Sequence, residues 1–376
     1  MQRSFVLLSI LIGSHLACAQ YYPSKEKWEQ KSPKAVGLKE KAIESAVEFA
    51  ESNEYNGEQD LRLAILKAFS REPYHEIRGP VKPRGGPAGL IIKDGYIVAG
   101  WGDVERVDMT FSVTKSYLST IVGLALDDGL IGSLNEKVAG YVWDGTFEGE
   151  HNSKINWEHL IHQTSDWSGE HFGLFDWADR PPGEGGIDDW RRRELHEPGT
   201  FFKYNDVRVN VLSYSILNVW RKPLPQVLKE RIMDPIGAST TWRWYGYENT
   251  WTIIDGVEMQ SVSGGGHHGG GVFINTLDHA RFGLLFARKG KWDGKQLISE
   301  DWVSMIQTSA EANESYGYMW WLNRGSRKWE GTPDHLFYAA GFGGNYIVVD
   351  TEQDLVIVAR WCSKIGELVR LVYQGL

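Results

Sequence analysis

Cysteine is nearly missing: the 376 residues hold two, Cys18 and Cys362. So few exclude a small disulfide-stapled scaffold, and a chain this long can bury one or two cores without staples. Long apolar runs are missing too; none reaches the roughly 18 to 20 residues that a membrane-spanning helix needs. There is no basic surplus. The formal net charge is −9, which leaves little to displace phosphate counterions and disfavours nucleic-acid binding. The 42 glycines and 13 prolines follow no collagen period and form no low-complexity tract. With 42% hydrophobic and 24% charged residues, the chain is not an intrinsically disordered one.

Several catalytic signatures are absent. No H-E-x-x-H or C-x-x-C occurs, which removes the common zinc patterns. No G-x-x-x-x-G-K-[ST] occurs, so the glycines form no phosphate loop. No G-x-S-x-G occurs, which leaves a nucleophile elbow unsupported. His159 and His162 share a helical face, and His267-His268 lies in a glycine-rich turn. Neither pair has a third ligand of matching context, and both read as structural histidines. No metal and no cofactor are expected.

What is present begins with an export address. Residues 1–19 combine Arg3, a short apolar run over Phe5–Ile12 and an Ala17-Cys18-Ala19 cleavage site. Cleavage after Ala19 removes Cys18 and leaves Cys362 without a partner. A secreted chain without disulfides fits a bacterial periplasm.

The hydrophobic pattern then predicts a polar arm over 20–36 and an amphipathic helix over Leu38–Asn53. Ala88–Trp101 reads as a hairpin around Lys93-Asp94-Gly95, and Phe111–Asp128 as a buried helix stopped by Gly129. Residues 133–165 and 207–235 read as helical. Thr276–Arg288 reads as a helix, 316–323, 336–340, 345–350 and 355–361 as strands, and 364–373 as a closing helix. The fold class is therefore α+β: an antiparallel sheet built from both ends of the chain (about 37–130 and 250–376), flanked by helices, with a mostly helical insertion over about 131–249. Asp166–Pro198 is too long for an ordinary connection, and such loops are usually lids or binding loops.

Two S-x-x-K patterns occur. Ser24–Lys27 sits in the polar arm with no apolar helix behind it. Ser112-Val113-Thr114-Lys115 opens a buried helix directly after a strand-like stretch. Residues three apart share a helix face, so Lys115 can lie beside Ser112. The N-terminal end of a helix favours a developing oxyanion, and a desolvated lysine can take the serine proton. The plain alternative is that Ser112 caps the helix and Lys115 reaches solvent.

A second element removes that ambiguity. Pro198-Gly199-Thr200-Phe201-Phe202-Lys203-Tyr204 leads through Asn205-Asp206 into an apolar helix. Further on, Gly269–Phe273 runs into Asp278–Gly283, and Gly341–Asp350 reads GFGGNYIVVD. Together with Ser112–Lys115 these strings resemble the serine β-lactamase and penicillin-binding-protein-like hydrolases. The closest flavour is the class C branch, with its family VIII carboxylesterases and 6-aminohexanoate-dimer hydrolases. The resemblance spans about residues 85–362 and implies their β-lactamase/transpeptidase-like fold.

It also implies roles. Ser112 matches the acylated nucleophile, Lys115 its activating partner and Tyr204 the tyrosine that relays a proton to the leaving group. The backbone N–H groups of Ser112 and Phe342 match the oxyanion hole, and Gly341 keeps the glycine where backbone meets substrate. Asp206 stands where these β-lactamases carry asparagine, and is expected at the substrate. Ala339-Ala340-Gly341 replaces their Lys-Thr-Gly, so the cation that would grip a β-lactam carboxylate is missing. Trp167 and Trp177 are expected as aromatic walls of a lid whose rim is Arg191-Arg192-Arg193. The expected activity is hydrolysis of carboxylic esters or linear amides through an acyl-enzyme. The alternatives are a penicillin-binding-like acylated sensor or binding protein with little turnover, and a weak β-lactamase. The expected partner is a small-molecule ester or amide, with no nucleic acid and no membrane span.

Overall fold

The computed structural model of the protein describes residues 20–376; the expected export signal, 1–19, lies outside them. Two helices come first, α1 (Glu40–Ser52) and α2 (Leu61–Ala68). The hairpin follows as β1 (Ala88–Lys93) and β2 (Tyr96–Trp101), with Asp94 and Gly95 both left-handed (φ 53° and 84°). Such a turn matches the twist of the strands it joins. A short β3 (Asp108–Met109) leads into α3 (Thr114–Asp127), and α4 (Asp206–Trp220) lies beyond the long loop.

The second half holds β4 (Arg243–Ile254), β5 (Val257–Val262), β6 (Gly271–Ile274) and α5 (Thr276–Ala287). It ends with β7 (Trp321–Leu322), β8 (Phe337–Gly341), β9 (Asn345–Asp350), β10 (Leu355–Arg360) and α6 (Ile365–Tyr373). The main sheet is antiparallel, in the order β7-β8-β9-β10-β1-β2. Both ends of the chain meet at its centre, where Ala88 pairs with Arg360 and Lys93 with Leu355. A second sheet runs β3-β6-β4-β5.

Strand β10 (LVIVAR) shows why its pattern is continuous rather than alternating. Val356 and Val358 face the large core beneath α3 and α5, while Leu355, Ile357 and Ala359 face a second core under α1 and α6. A strand covered on both faces has no polar side to display. Helix α3 is buried from Thr114 to Ala125 and is the axis of the molecule. No helix of the described residues is long and apolar enough to cross a membrane.

Three sequence expectations change. Residues 316–323 form a strand only at Trp321–Leu322. Met319 is left-handed (φ 60°), and hydroxyls of α3 take the carbonyls here: Ser119 donates to Tyr318 O at 2.8 Å and Ser116 to Met319 O at 2.9 Å. Strand β4 starts at Arg243, inside the stretch expected to be helical, and turns through Asp255-Gly256 (φ 55° and 79°). Residues 133–165 contain only short helical pieces, the longest Trp157–Ile161.

Candidate active site

The site starts where β3 ends. Phe111 adopts a left-handed backbone (φ 50°), uncommon for a bulky residue. It turns the chain into a 3-10 turn, Phe111–Val113, that becomes α3. The turn is tied to β6: Thr110 N–H donates to Val272 O at 3.0 Å, and Val272 N–H donates to Thr114 Oγ1 at 3.0 Å. Ser112 is thereby held at the head of the central helix, half-buried, with Lys115 one turn below and 1% exposed. Lys115 Nζ lies 3.0 Å from Ser112 Oγ.

Strand β8 passes directly beside this turn. A Cβ added at Gly341 would sit 2.2 Å from Thr110 O and 3.3 Å from Ser112 N. Only glycine allows that approach, and it puts Phe342, the next residue, alongside the head of the helix. The Phe342 ring packs edge-on against Phe111, with centroids 5.1 Å apart.

The third wall comes from the start of α4. Asn205 caps this helix, accepting from Arg208 N–H at 3.0 Å, and its own N–H donates to Gln163 Oε1 at 2.8 Å. Gln163 also donates to Tyr316 Oη at 2.8 Å. These bonds fix the residues on either side of the cap. Tyr204 lays its ring 4.6 Å from Lys115 Nζ and stacks on Trp321 at 5.7 Å. Asp206, 2% exposed, puts Oδ1 at 2.6 Å from Lys115 Nζ. Gly265 leaves room for that pair, since a Cβ there would lie 1.7 Å from Asp206 Oδ1.

Asp206 is the most perturbed carboxylate of the site. Burial alone would raise its pKa, but Lys115 and Arg180, both in contact with it, hold it well below the usual carboxylate range. Arg180 Nη1 lies 2.7 Å from Asp206 Oδ2 and 2.5 Å from Asp179 Oδ1. Asp179, Asp206 and His267 converge closely enough to be considered for a cation. Arg180 already supplies one: its guanidinium contacts both carboxylates, and its Nη2 donates to His267 Nδ1 at 3.0 Å.

Thus Ser112, Lys115, Tyr204, Asp206 and Gly341 meet in one place, with Phe342 adjacent. Three expectations are corrected. Asp206 is sealed against Lys115 and Arg180 and offers no surface to a substrate. Trp167 is in the large core at 2% exposure, its indole N–H donating to Thr146 O at 2.8 Å, so it walls no cleft. Trp177 is buried against Tyr74 and Phe175 with Arg191 over its ring. Of the three rim arginines, Arg193 turns inward to Asp166 and Asp176, at 2.8 and 2.7 Å, while Arg191 and Arg192 are exposed. Glu72 and the adjacent pair Asp179-Arg180 had no role assigned from the sequence, because they reach the site from segments far from Ser112 and Tyr204 and follow no motif spacing.

The beta-lactamase family model matches residues 88–361. Among solved structures the chain is similar to EstCE1, a hydrolase with promiscuous acyltransferase activity. The TM-score is 0.59 at 14% identity, over 89% of this chain and 98% of that one. A family VIII carboxylesterase gives 0.56 at 18%, over 84% and 97%. A penicillin-binding protein homologue from Caulobacter crescentus gives 0.56 at 14%, over 84% and 97%. At these identities the structural likeness speaks to the fold, and the family match covers most of the chain: it belongs to the beta-lactamase family, within the serine β-lactamase and penicillin-binding-protein-like superfamily of hydrolases.

Proposed function

We propose that the protein is an exported serine hydrolase that cleaves carboxylic esters, and secondarily linear amides, through an acyl-enzyme on Ser112. One observation carries the reading: Ser112 Oγ and Lys115 Nζ lie 3.0 Å apart on a buried helix head. In the proposed cycle Ser112 Oγ bonds to the substrate carbonyl carbon while its proton passes to Lys115. The carbonyl oxygen, now an anion, is met by the N–H groups of Ser112 and Phe342. Collapse breaks the bond to the leaving group, which takes a proton delivered through Lys115 and Tyr204. Water then adds to the acyl carbon and releases the acid by the same route reversed. Each oxyanion donor in such a site is worth roughly 3–4 kcal/mol of barrier.

Esters come before β-lactams in this reading because Ala339 and Ala340 supply no cation on β8. The resemblance to structures named as a carboxylesterase and as a hydrolase with acyltransferase activity points the same way. The test is turnover of p-nitrophenyl butyrate beside a linear anilide and a chromogenic cephalosporin. Steady ester turnover, lost together with fluorophosphonate labelling in Ser112→Ala, is the expected result. One equivalent of product followed by arrest would mean a penicillin-binding-like acylated protein instead. Labelling that persists in Ser112→Ala would remove the nucleophile. Export is tested by the mature N-terminus, expected at Gln20.

A further inference from the structure

We propose that Arg180 is a positioning residue that allows Lys115 to act as a base, by keeping Asp206 paired when Lys115 is uncharged. The inference rests on the reading of Ser112 as nucleophile and Lys115 as its proton acceptor.

A carboxylate 2.6 Å from Lys115 Nζ favours the ammonium form. An ammonium cannot accept the serine proton. If Asp206 had no other partner, the neutral amine would leave a buried carboxylate uncompensated, and such a state is costly. Arg180 changes that balance. Its Nη1 lies 2.7 Å from the other oxygen of Asp206, so the carboxylate keeps a cation whichever form Lys115 takes.

The structure holds Arg180 in place from several sides. Asp179 Oδ1 lies 2.5 Å from Nη1, and the rings of Tyr204 and Phe69 have centroids 5.2 and 5.8 Å from its guanidinium carbon. Arg180 Nη2 donates to His267 Nδ1 at 3.0 Å, which assigns the histidine proton to Nε2. That Nε2–H donates to Glu72 Oε2 at 2.6 Å. The other oxygen of Glu72 accepts from the backbone N–H of Arg180 itself at 3.1 Å. Glu72 therefore grips Arg180 by its backbone and, through His267, by its guanidinium. The left-handed backbone of Arg180 (φ 47°) fits a residue fixed by its surroundings rather than by local preference. A continuous chain, Glu72–His267–Arg180–Asp206–Lys115–Ser112, joins five separate segments.

The charged and titratable groups that face Lys115 are Asp206 and Tyr204 directly, and Arg180, Asp179, His267 and Glu72 through Asp206. Tyr247, Tyr316 and His268 stand behind them. Of these only Arg180 and Lys115 are cations opposing Asp206 at contact distance.

The test is the rate of Ser112 labelling by a fluorophosphonate, measured from pH 5 to 10 on the mature chain. In that reaction the Oγ–P bond forms, the P–F bond breaks, fluoride leaves and the serine proton passes to Lys115. The wild-type rate should rise with pH, since only an uncharged acceptor can take the serine proton. Arg180→Gln should move the rising limb at least one pH unit toward alkali, about tenfold slower labelling near neutrality that recovers at high pH. Arg180→Lys keeps a charge but loses the fork that bridges Asp206 and His267, so its limb should move the same way by a smaller amount; it also serves if the Gln variant does not fold. Asp206→Asn added to Arg180→Gln should bring the limb back toward acid, because no carboxylate is left to be stranded. A loss by one factor at every pH, or a double variant that is not restored, would overturn the role of Arg180 while leaving Ser112 intact. Labelling that survives Ser112→Ala overturns the nucleophile, and this proposal with it.

Discussion

Gly341 is the residue on which the proposed oxyanion hole depends most directly. Its Cα lies against the Thr110 carbonyl, so even a methyl group must push β8 away from the Ser112 turn. Gly341→Ala should lower kcat on p-nitrophenyl butyrate by roughly 10²-fold or more, the scale of one lost oxyanion donor. KM should change little, since the displaced N–H acts mainly in the transition state. A kcat near wild type would separate β8 from the chemistry. Lys115→Ala tests the other half of the pair: a missing general base typically costs 10²–10⁴-fold. The loss should be seen in both labelling and turnover, with a circular-dichroism spectrum like that of wild type.

At the scale of elements, the long 166–198 loop is the part whose character differs most from its composition. Gly, Pro, Trp and charge suggested a lid, yet its first part is bolted to α4 and Arg193 ties its later part to the same two carboxylates. Arg208, 1% exposed, reaches Asp166 at 2.6 Å and Asp176 at 3.0 Å, and Arg193 reaches the same two carboxylates. Burial would raise the Asp166 pKa, but Arg208, the His196 N–H and Arg193 bring it well below the ordinary range. Removing one member of such a cluster leaves a buried charge unpaired and costs about 3–5 kcal/mol. Arg208→Met should therefore lower stability by that amount in urea titration, and should also slow labelling of Ser112, because α4 carries Asp206. A loss below about 1 kcal/mol would mean that water or Arg193 alone suffices.

The same loop shows where a sequence stops being informative. The 88–101 hairpin was legible because its Asp-Gly turn and apolar runs are local, and the buried α3 because Gly129 and an apolar stripe bound it. Ser112 and Lys115 were legible because their spacing along one segment fixes them, and Tyr204 because the string Pro198–Tyr204 carries the family resemblance. The β4–β5 hairpin carries an equally local Asp255-Gly256 turn, but its first strand begins inside the stretch expected as a helical insertion, about 131–249. The aromatic run 316–322 has strand-forming residues, but serine hydroxyls on α3 claim its carbonyls, a tertiary effect with no local signature. Arg180, His267 and Glu72 belong to one chain of hydrogen bonds only after the loop, the glycine-rich turn and the segment after α2 have converged. The arginines of 191–193 are alike in sequence, and only the fold decides that Arg193 turns inward.

For the molecule as a whole, the buried histidines make acid stability a property of the fold. His171 is packed among Trp167, Phe172 and Tyr214. Burial lowers its pKa to about 4 and that of His268 to about 3. His279 bridges Thr110 Oγ1 and Tyr117 Oη at 3.0 and 2.9 Å behind the nucleophile turn, and burial and Arg360 push it well down too. In the unfolded chain each would titrate near 6.5. The folded state therefore binds fewer protons than the unfolded one between those values, and stability falls as the pH drops below about 6.5. Each such histidine contributes about 1.4 kcal/mol of lost stability per pH unit in that window. Urea titrations from pH 7.5 to 5 should show the decline, and above about pH 7 it should vanish. His171→Phe keeps the aromatic packing and removes one titrating group, so its curve should be shallower by one proton's worth. His171 has no role in the proposed catalysis, so ester turnover at pH 7.5 should stay near wild type while the acid slope changes. An unchanged slope in that variant would mean that His171 is already protonated in the fold, and that its aromatic surroundings hold a cation rather than a neutral ring.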